Sequence, residues 1–309
     1  MIRYKEIADQ ITGRFLTFTY SMALKGMHRF IIGLAKKVIL ANTLGSYADL
    51  VFKSDTTTLS SGVAWLGALS YTMQIYFDFS GYSDMAIGIG QMLGFRFPEN
   101  FNNPYTSCSI SEFWRRWHIT LGAWMRNYLY IPLGGNRVST KRRLYFNLWL
   151  VFVLSGFWHG ASWGFIVWGV YHGSFLVLER LAWGRWLKAF GKWPSMFLTF
   201  LLVTIGWIFF REESLGKAGA YIHALFAFHR ETTIISFQTT ELYTILGLAL
   251  FFSFFAAFKP LEKIQNRIYF EQGSILESVI YSAISACMLI VCVSLISASS
   301  FNPFIYFRF

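Results

Sequence analysis

Between Leu144 and Leu178 the chain runs for 35 residues without Asp, Glu, Lys or Arg. At a helical rise of about 1.5 Å per residue such a run is about 52 Å long. A hydrocarbon layer is only about 30 Å thick, so one crossing cannot absorb it. Two passes, or a helical hairpin, fit the length. The stretch Gly156-Phe157-Trp158-His159-Gly160-Ala161-Ser162-Trp163 lies inside the run and is expected to carry His159 well below the bilayer surface. An ionisable side chain at that depth is costly unless it pairs or works. Position alone leaves two readings open. His159 is a working group, or it is a packed histidine satisfied by backbone, Tyr or Trp partners.

Composition points the same way. The 309 residues are 55% hydrophobic, 20% aromatic and only 14% charged, with 12 Trp and 33 Phe. A soluble domain carries about 25% charged residues, and aromatic belts mark membrane interfaces. The expected fold is all-α: a polytopic transmembrane helical bundle with short interfacial and re-entrant helices, forming one membrane-embedded domain over residues 1–309. The net charge of +11 sits in short clusters between apolar runs. That is the pattern of cytoplasmic loops beside anionic lipid, and it argues against nucleic acid as a partner. Cys108, Cys287 and Cys292 form no CxxC, and no cluster has zinc-ligand spacing, so no metal site is expected. The start of the chain lacks the apolar core of a secretory signal.

Along the chain, Lys25 to Val38 reads as a basic amphipathic helix. Lys25, Arg29 and Lys36 share one face, expected in the headgroup plane. Thr56 to Phe77 is free of charge and long enough to span. Asp78 and Asp84 then face a wet cavity or end the helix, and a short helix resumes from Met85 to Phe95. Ser109 with Glu112 three residues later predicts a helix start, running through Trp114-Arg115-Arg116-Trp117-His118 to Leu129. Further spans are expected at Trp193–Phe210, Leu242–Phe258 and within Ser278–Phe307. The segments 137–143, 180–192 and 259–267 read as basic loops and 211–239 as a nearly neutral loop holding His223 and His229. The positive-inside rule puts the basic loops in the cytoplasm and 211–239 outside.

Several strings, in one order, resemble the membrane-bound O-acyltransferase family, most closely its alginate O-acetyltransferase branch. They are Gln74-Ile75-Tyr76-Phe77-Asp78-Phe79-Ser80-Gly81-Tyr82-Ser83-Asp84, Phe97-Pro98-Glu99-Asn100-Phe101, Phe113-Trp114-Arg115-Arg116-Trp117-His118, Tyr130-Ile131-Pro132-Leu133-Gly134-Gly135-Asn136-Arg137, Trp158-His159-Gly160 and the final Asn302-Pro303-Phe304-Ile305-Tyr306-Phe307. The resemblance runs from about Arg3 to the C-terminus. It implies a catalytic histidine at His159 and a second functional histidine at His118. It also implies a start about a third of the way into a typical member.

O-acylation needs a hydroxyl made nucleophilic, an activated acyl donor and a place for negative charge. A neutral imidazole can take the hydroxyl proton and later return it to the leaving group. His118 would assist His159 or orient a substrate; otherwise it is an interfacial histidine beside Arg115 and Arg116. Those two arginines suit donor phosphates or lipid headgroups equally. Trp158 shapes the cavity. Asp78 and Asp84 read as structural partners or tunnel lining rather than reacting acids, and His172 as a satisfied core group. Gly156, Gly160 and Gly164 read chiefly as a helix-packing seam. The resemblance implies no bound cofactor, an acyl thioester such as acetyl-CoA as donor, membrane lipid around the chain, an inner-membrane location, and a periplasmic acyltransferase partner that completes delivery to a polysaccharide. A transporter or channel with intramembrane polar residues would also explain the aspartates and histidines, though not the ordered strings. An isolated structural subunit is a third reading.

Overall fold

The computed structural model describes residues 3–12, 19–212, 214–228, 239–271, 273–298 and 304. Among these residues every regular element is a helix. They group into two compact units. One takes Met1–Gly45, Met73–Phe101 and Thr239–Arg308; the other takes Ser46–Thr72 and Asn102–Gln238.

In the first unit α1 (Tyr4–Thr12) is followed by α2 (Tyr20–Ala35), which passes through a π-helical turn at Lys36–Ala41 into α3 (Asn42–Phe52), whose residues from Ser46 onward belong to the second unit. The next element, α4 (Ser61–Met92), is one unbroken helix of 32 residues, counted in the second unit up to Thr72 and in the first from Met73. The expected break at Asp78–Asp84 does not occur. Both carboxylates are buried and neutralised by cations from α2 and its π-turn. Asp84 accepts from Arg29 at 2.9 and 3.1 Å and from Lys36 at 2.5 Å, and Asp78 pairs with Lys37. Arg29 also holds Glu99, Nη1 to Oε1 at 2.6 Å. The headgroup placement of the α2 basic face is therefore corrected at Arg29. The side chain is 6% exposed and sits on the buried face with Gly26, Ile31 and Gly33. Pairing removes the penalty that would otherwise drive it to the surface.

The crossing of α2 on α4 is close enough to need glycine. A Cβ on Gly26 would lie 2.5 Å from the Gly88 carbonyl oxygen, and one on Gly33 would lie 2.6 Å from that of Gly81. The reciprocal contacts are as tight. Rising numbers on α2 meet falling numbers on α4, so the two run antiparallel. Close backbone approach of this kind is the usual work of small residues between membrane helices.

The same unit contains α12 (Thr239–Phe254), α13 (Lys259–Phe270) and α14 (Ile275–Ala298). Residues 259–267, read as a loop, lie within the amphipathic helix α13. Its Tyr269 ring lies under Arg29 at 5.0 Å. Cys292 of α14 is buried against Ala35 and Val38.

In the second unit, α5 (Ile110–Arg116) and α6 (Ile119–Met125) precede α7 (Lys141–His159) and α8 (Trp163–Leu178). The last two form the expected hairpin, with Gly160–Ser162 as its turn. Gly156 and Gly169 let the two backbones meet, for a Cβ at either would come within 2.4 Å of a carbonyl oxygen on the other helix. The glycine seam is corrected in one respect. Gly164 faces α10 (Lys192–Arg211) rather than α7, with the Glu212 carbonyl oxygen 2.3 Å from its would-be Cβ. The segment 180–192, expected as a basic loop, is helical apart from Gly191: a π-helical turn at Glu179–Trp183 leads into α9 (Gly184–Phe190), and α10 begins at Lys192. The segment 211–239 is not a loop throughout, since Leu215–Phe226 is helix α11, whose Tyr221, Ala224 and Leu225 pack on Val63, Ala64 and Ala68. His223 is an exposed residue of α11, and His229 lies outside the described residues. The final Asn302–Phe307 motif also lies outside them except for Phe304.

Lys192–Arg211, Thr239–Ala257 and Ile275–Ala298 are long and apolar enough to cross a membrane. They coincide with the three spans expected in the C-terminal half.

Candidate functional site

His118 is placed by a chain of local interactions. Ser109 caps α5 as expected, its Oγ accepting from the Glu112 N–H at 3.1 Å. Glu112 turns back to accept from the Cys108 N–H at 2.9 Å. Glu179, far along the chain, accepts the next two backbone donors, Ile110 and Ser111, the latter at 3.0 Å. These carboxylates satisfy donors that the helix itself leaves open and suit the positive end of its dipole. The predicted continuous helix to Leu129 is interrupted. Trp117 is extended, and His118 adopts φ 44° and ψ 53° before α6 begins. The left-handed region costs a non-glycine residue about 1 kcal/mol or more. The interruption turns the buried His118 out of the line of α5.

His159 is the last residue of α7, at the tip of the hairpin. Its imidazole is half-buried and ringed by aromatics. Trp158 lies 4.9 Å away, Phe210 5.0 Å and Trp168 5.4 Å, all edge to face. His118 and His159 belong to the same unit. Trp117, next to His118, meets Trp207 at 4.9 Å, Trp207 meets Phe210 at 5.5 Å, and Phe210 meets the His159 ring at 5.0 Å, so the chain at His118 and the His159 ring adjoin one aromatic cluster. Trp158 joins it as a half-exposed wall.

The two arginines separate. Arg115 is exposed. Arg116 braces its own helix end, with Nη2 on Glu112 at 2.7 Å and Nη1 on the Thr106 hydroxyl at 3.3 Å and the Asn102 carbonyl at 3.4 Å. Asp78 and Asp84 belong to the first unit's ion pairs. Among the described residues no group of three or more His, Cys, Asp or Glu side chains could hold a metal ion.

His172 corrects an expectation. It is fully buried, yet neither ring nitrogen has a hydrogen-bond partner among the described residues. Sequence reasoning also passed over Trp114, Trp168, Trp207 and Phe210, which wall the histidines, and Glu179, which fixes α5. One spacing points to a tryptophan: Trp168 and His172 stand four apart on α8, the separation at which helical side chains meet.

The chain matches the model of the membrane-bound O-acyltransferase family over residues 2–210. It is 52% identical over 232 residues to the protein named "Probable alginate O-acetylase AlgI" of Pseudomonas aeruginosa, covering 74% of this chain and 43% of that one. The protein of the same name from Pseudomonas putida is 42% identical over 325 aligned residues, covering all of this chain and 65% of the relative. A "Peptidoglycan O-acetyltransferase" of Helicobacter pylori is 48% identical over 197 residues, 62% of this chain and 37% of its own length. The chain therefore spans about half the length of the curated relatives it matches. Its apolar helices and the extent of the family match make it a membrane protein, and the chain belongs to the membrane-bound O-acyltransferase family.

Proposed function

We propose that this protein is a multi-pass inner-membrane O-acyltransferase. It moves an acetyl or other short acyl group from a thioester, such as acetyl-CoA, toward hydroxyls of a surface or secreted polysaccharide, with a periplasmic acyltransferase partner completing delivery. The observation that carries this reading is His159 at the tip of the α7–α8 hairpin among the rings of Trp158, Trp168 and Phe210, within a chain of this family.

In this reading His159 takes the proton from the attacking hydroxyl as its oxygen bonds to the thioester carbonyl carbon. The tetrahedral intermediate carries the negative charge on the former carbonyl oxygen. It collapses by breaking the carbon–sulfur bond, and the departing thiolate takes the proton back from His159. An ester and a free thiol result, and the imidazole is regenerated. His118 orients the hydroxyl or the thioester. Arg115, exposed at the end of α5, would meet a phosphate of the donor or a lipid headgroup. The transporter reading drew on Asp78 and Asp84, and both are occupied in ion pairs.

Membranes containing the protein, a labelled acyl thioester and a polysaccharide acceptor test the proposal. His159→Ala should insert normally and transfer label about 10² to 10⁴ times more slowly. Near-normal transfer by a well-expressed variant would remove His159 from the chemistry. The orientation proposed has residues 137–143, 180–192 and 259–267 in the cytoplasm and 211–239 outside. Single cysteines in these segments of a cysteine-free background, probed with an impermeant thiol reagent, check it. Labelling of 259–267 in intact spheroplasts would reverse it.

A further inference from the structure

Against Trp168 lies a third histidine, one that the proposed reaction does not use. His172 is 0% exposed, and its ring is enclosed edge to face by Trp114 at 4.9 Å, Tyr171 at 5.2 Å and Trp168 at 5.3 Å. On its other side the backbone of α10 closes in. A Cβ at Gly206 would lie 2.6 Å from Nε2. A phenylalanine or leucine in an aromatic cage of this kind would leave no polar atom unmet. An imidazole brings a donor and an acceptor that burial makes expensive to leave unmet.

The polar atoms around it share that condition. The indole Nε1 atoms of Trp114 and Trp168 are buried and, like both nitrogens of His172, have no hydrogen-bond partner among the described residues. Their neighbour Trp207 differs. Its Nε1 donates to the Tyr105 hydroxyl at 3.2 Å, which donates in turn to the Thr72 carbonyl at 2.7 Å. Other buried side-chain atoms also lack a partner among the described residues, Thr204 Oγ1 on α10 among them, but His172, Trp114 and Trp168 gather four such nitrogens on rings in mutual contact. Two indole donors, with one donor and one acceptor on a neutral imidazole, call for a partner with lone pairs and a proton to give. Water is the smallest such molecule, and a buried water typically makes about three hydrogen bonds.

Trp168 links this spot to the candidate site. Its ring stands edge to face on His159 at 5.4 Å and on His172 at 5.3 Å. We propose that His172 is a positioning residue. Together with the Trp114 and Trp168 indoles it forms an internal site for one water, which holds the Trp168 ring and through it the His159 imidazole. This rests on the acyl-transfer reading above.

The test compares His172→Phe, which keeps the ring and loses the nitrogens, with His172→Gln, which keeps a donor and an acceptor. Labelled acyl transfer is measured in membranes beside wild type and His159→Ala. The expected result is normal accumulation of both variants. His172→Phe should show a roughly 10- to 100-fold lower kcat, the scale of a slightly misplaced catalytic group, at unchanged KM for the thioester. His172→Gln should recover most of the loss. Wild-type activity in His172→Phe would reduce the imidazole to packing and overturn the proposal. Equal loss in both variants at normal accumulation would overturn it as well. Should His172→Phe fail to accumulate, His172→Gln is read alone, and its kcat decides. Failure of both to accumulate would make His172 a folding residue and not a positioning one. If wild-type membranes transfer no label, the acyl-transfer reading fails first. If wild type transfers and His159→Ala does not, the His172 variants are decisive.

Discussion

The first unit buries Arg29, Lys37, Asp78 and Asp84, half-buries Lys36 and Glu99, and pairs all six, three cations with three carboxylates. The second unit buries histidines and indoles and leaves several of their nitrogens without a protein partner among the described residues. The two solutions suit different work. Closed ion pairs in a low-dielectric setting fix a register and resist change, because separating them strands a charge. Unmet neutral polar groups keep the capacity to take up another molecule. Buried side-chain oxygens without a partner among the described residues occur in the first unit too, at Gln74 and Ser80, so it is the ion pairs of the first unit that read as scaffold and the histidine–indole cluster of the second that reads as the working part.

Breaking the ion network tests the first half of that contrast with the largest expected effect. Asp84→Ala leaves Lys36 and half of the Arg29 contacts uncompensated. It should destabilise the protein by about 3–5 kcal/mol, seen as poor accumulation or a lowered melting temperature in detergent. An unchanged melting temperature would mean that these charges reach water and do not act as scaffold.

His118 sharpens the second half. His118→Gly and His118→Ala both remove the imidazole, but only glycine takes φ 44° without strain. Both should lose acyl transfer. His118→Gly should melt about 1 kcal/mol higher than His118→Ala. A His118→Ala variant that transfers label normally would limit His118 to shaping the chain.

The smallest effects concern the arginines. Arg116→Ala removes a half-exposed brace and should cost no more than about 1 kcal/mol of stability. Arg115→Ala should leave melting unchanged and raise the KM for the thioester severalfold. If instead Arg116→Ala moves KM and Arg115→Ala does not, their roles are reversed.

The hairpin could be read from the chain because its signal is local. A charge-free run of twice the needed length, with Gly160-Ala161-Ser162 at its middle, admits few folds. The Ser109 cap was local too. The continuity of α4 was not, since what permits Asp78 and Asp84 inside a helix is Arg29, Lys36 and Lys37, more than 40 residues away in sequence. Charge misleads in the same way at 259–267 and 215–226, which suggest loops in sequence and are amphipathic helices in the structure. The interruption at His118 has no Gly or Pro to announce it. Both site histidines could be named from sequence, but the tryptophan cage and the unmet nitrogens of His172 depend on how α5, α8 and α10 meet.

The crossing of α2 on α4 has a mechanical consequence. The backbones touch at two points, Gly26 on Gly88 and Gly33 on Gly81, seven residues apart on each helix. A slide of a single residue is only about 1.5 Å. It would nonetheless drive a side chain into a carbonyl at both points and pull Arg29, Lys36 and Lys37 off their carboxylates together. The pair has no gentle sliding mode and behaves as a pawl set in its notch. Any movement in this unit must carry the two helices as one rod or separate them altogether.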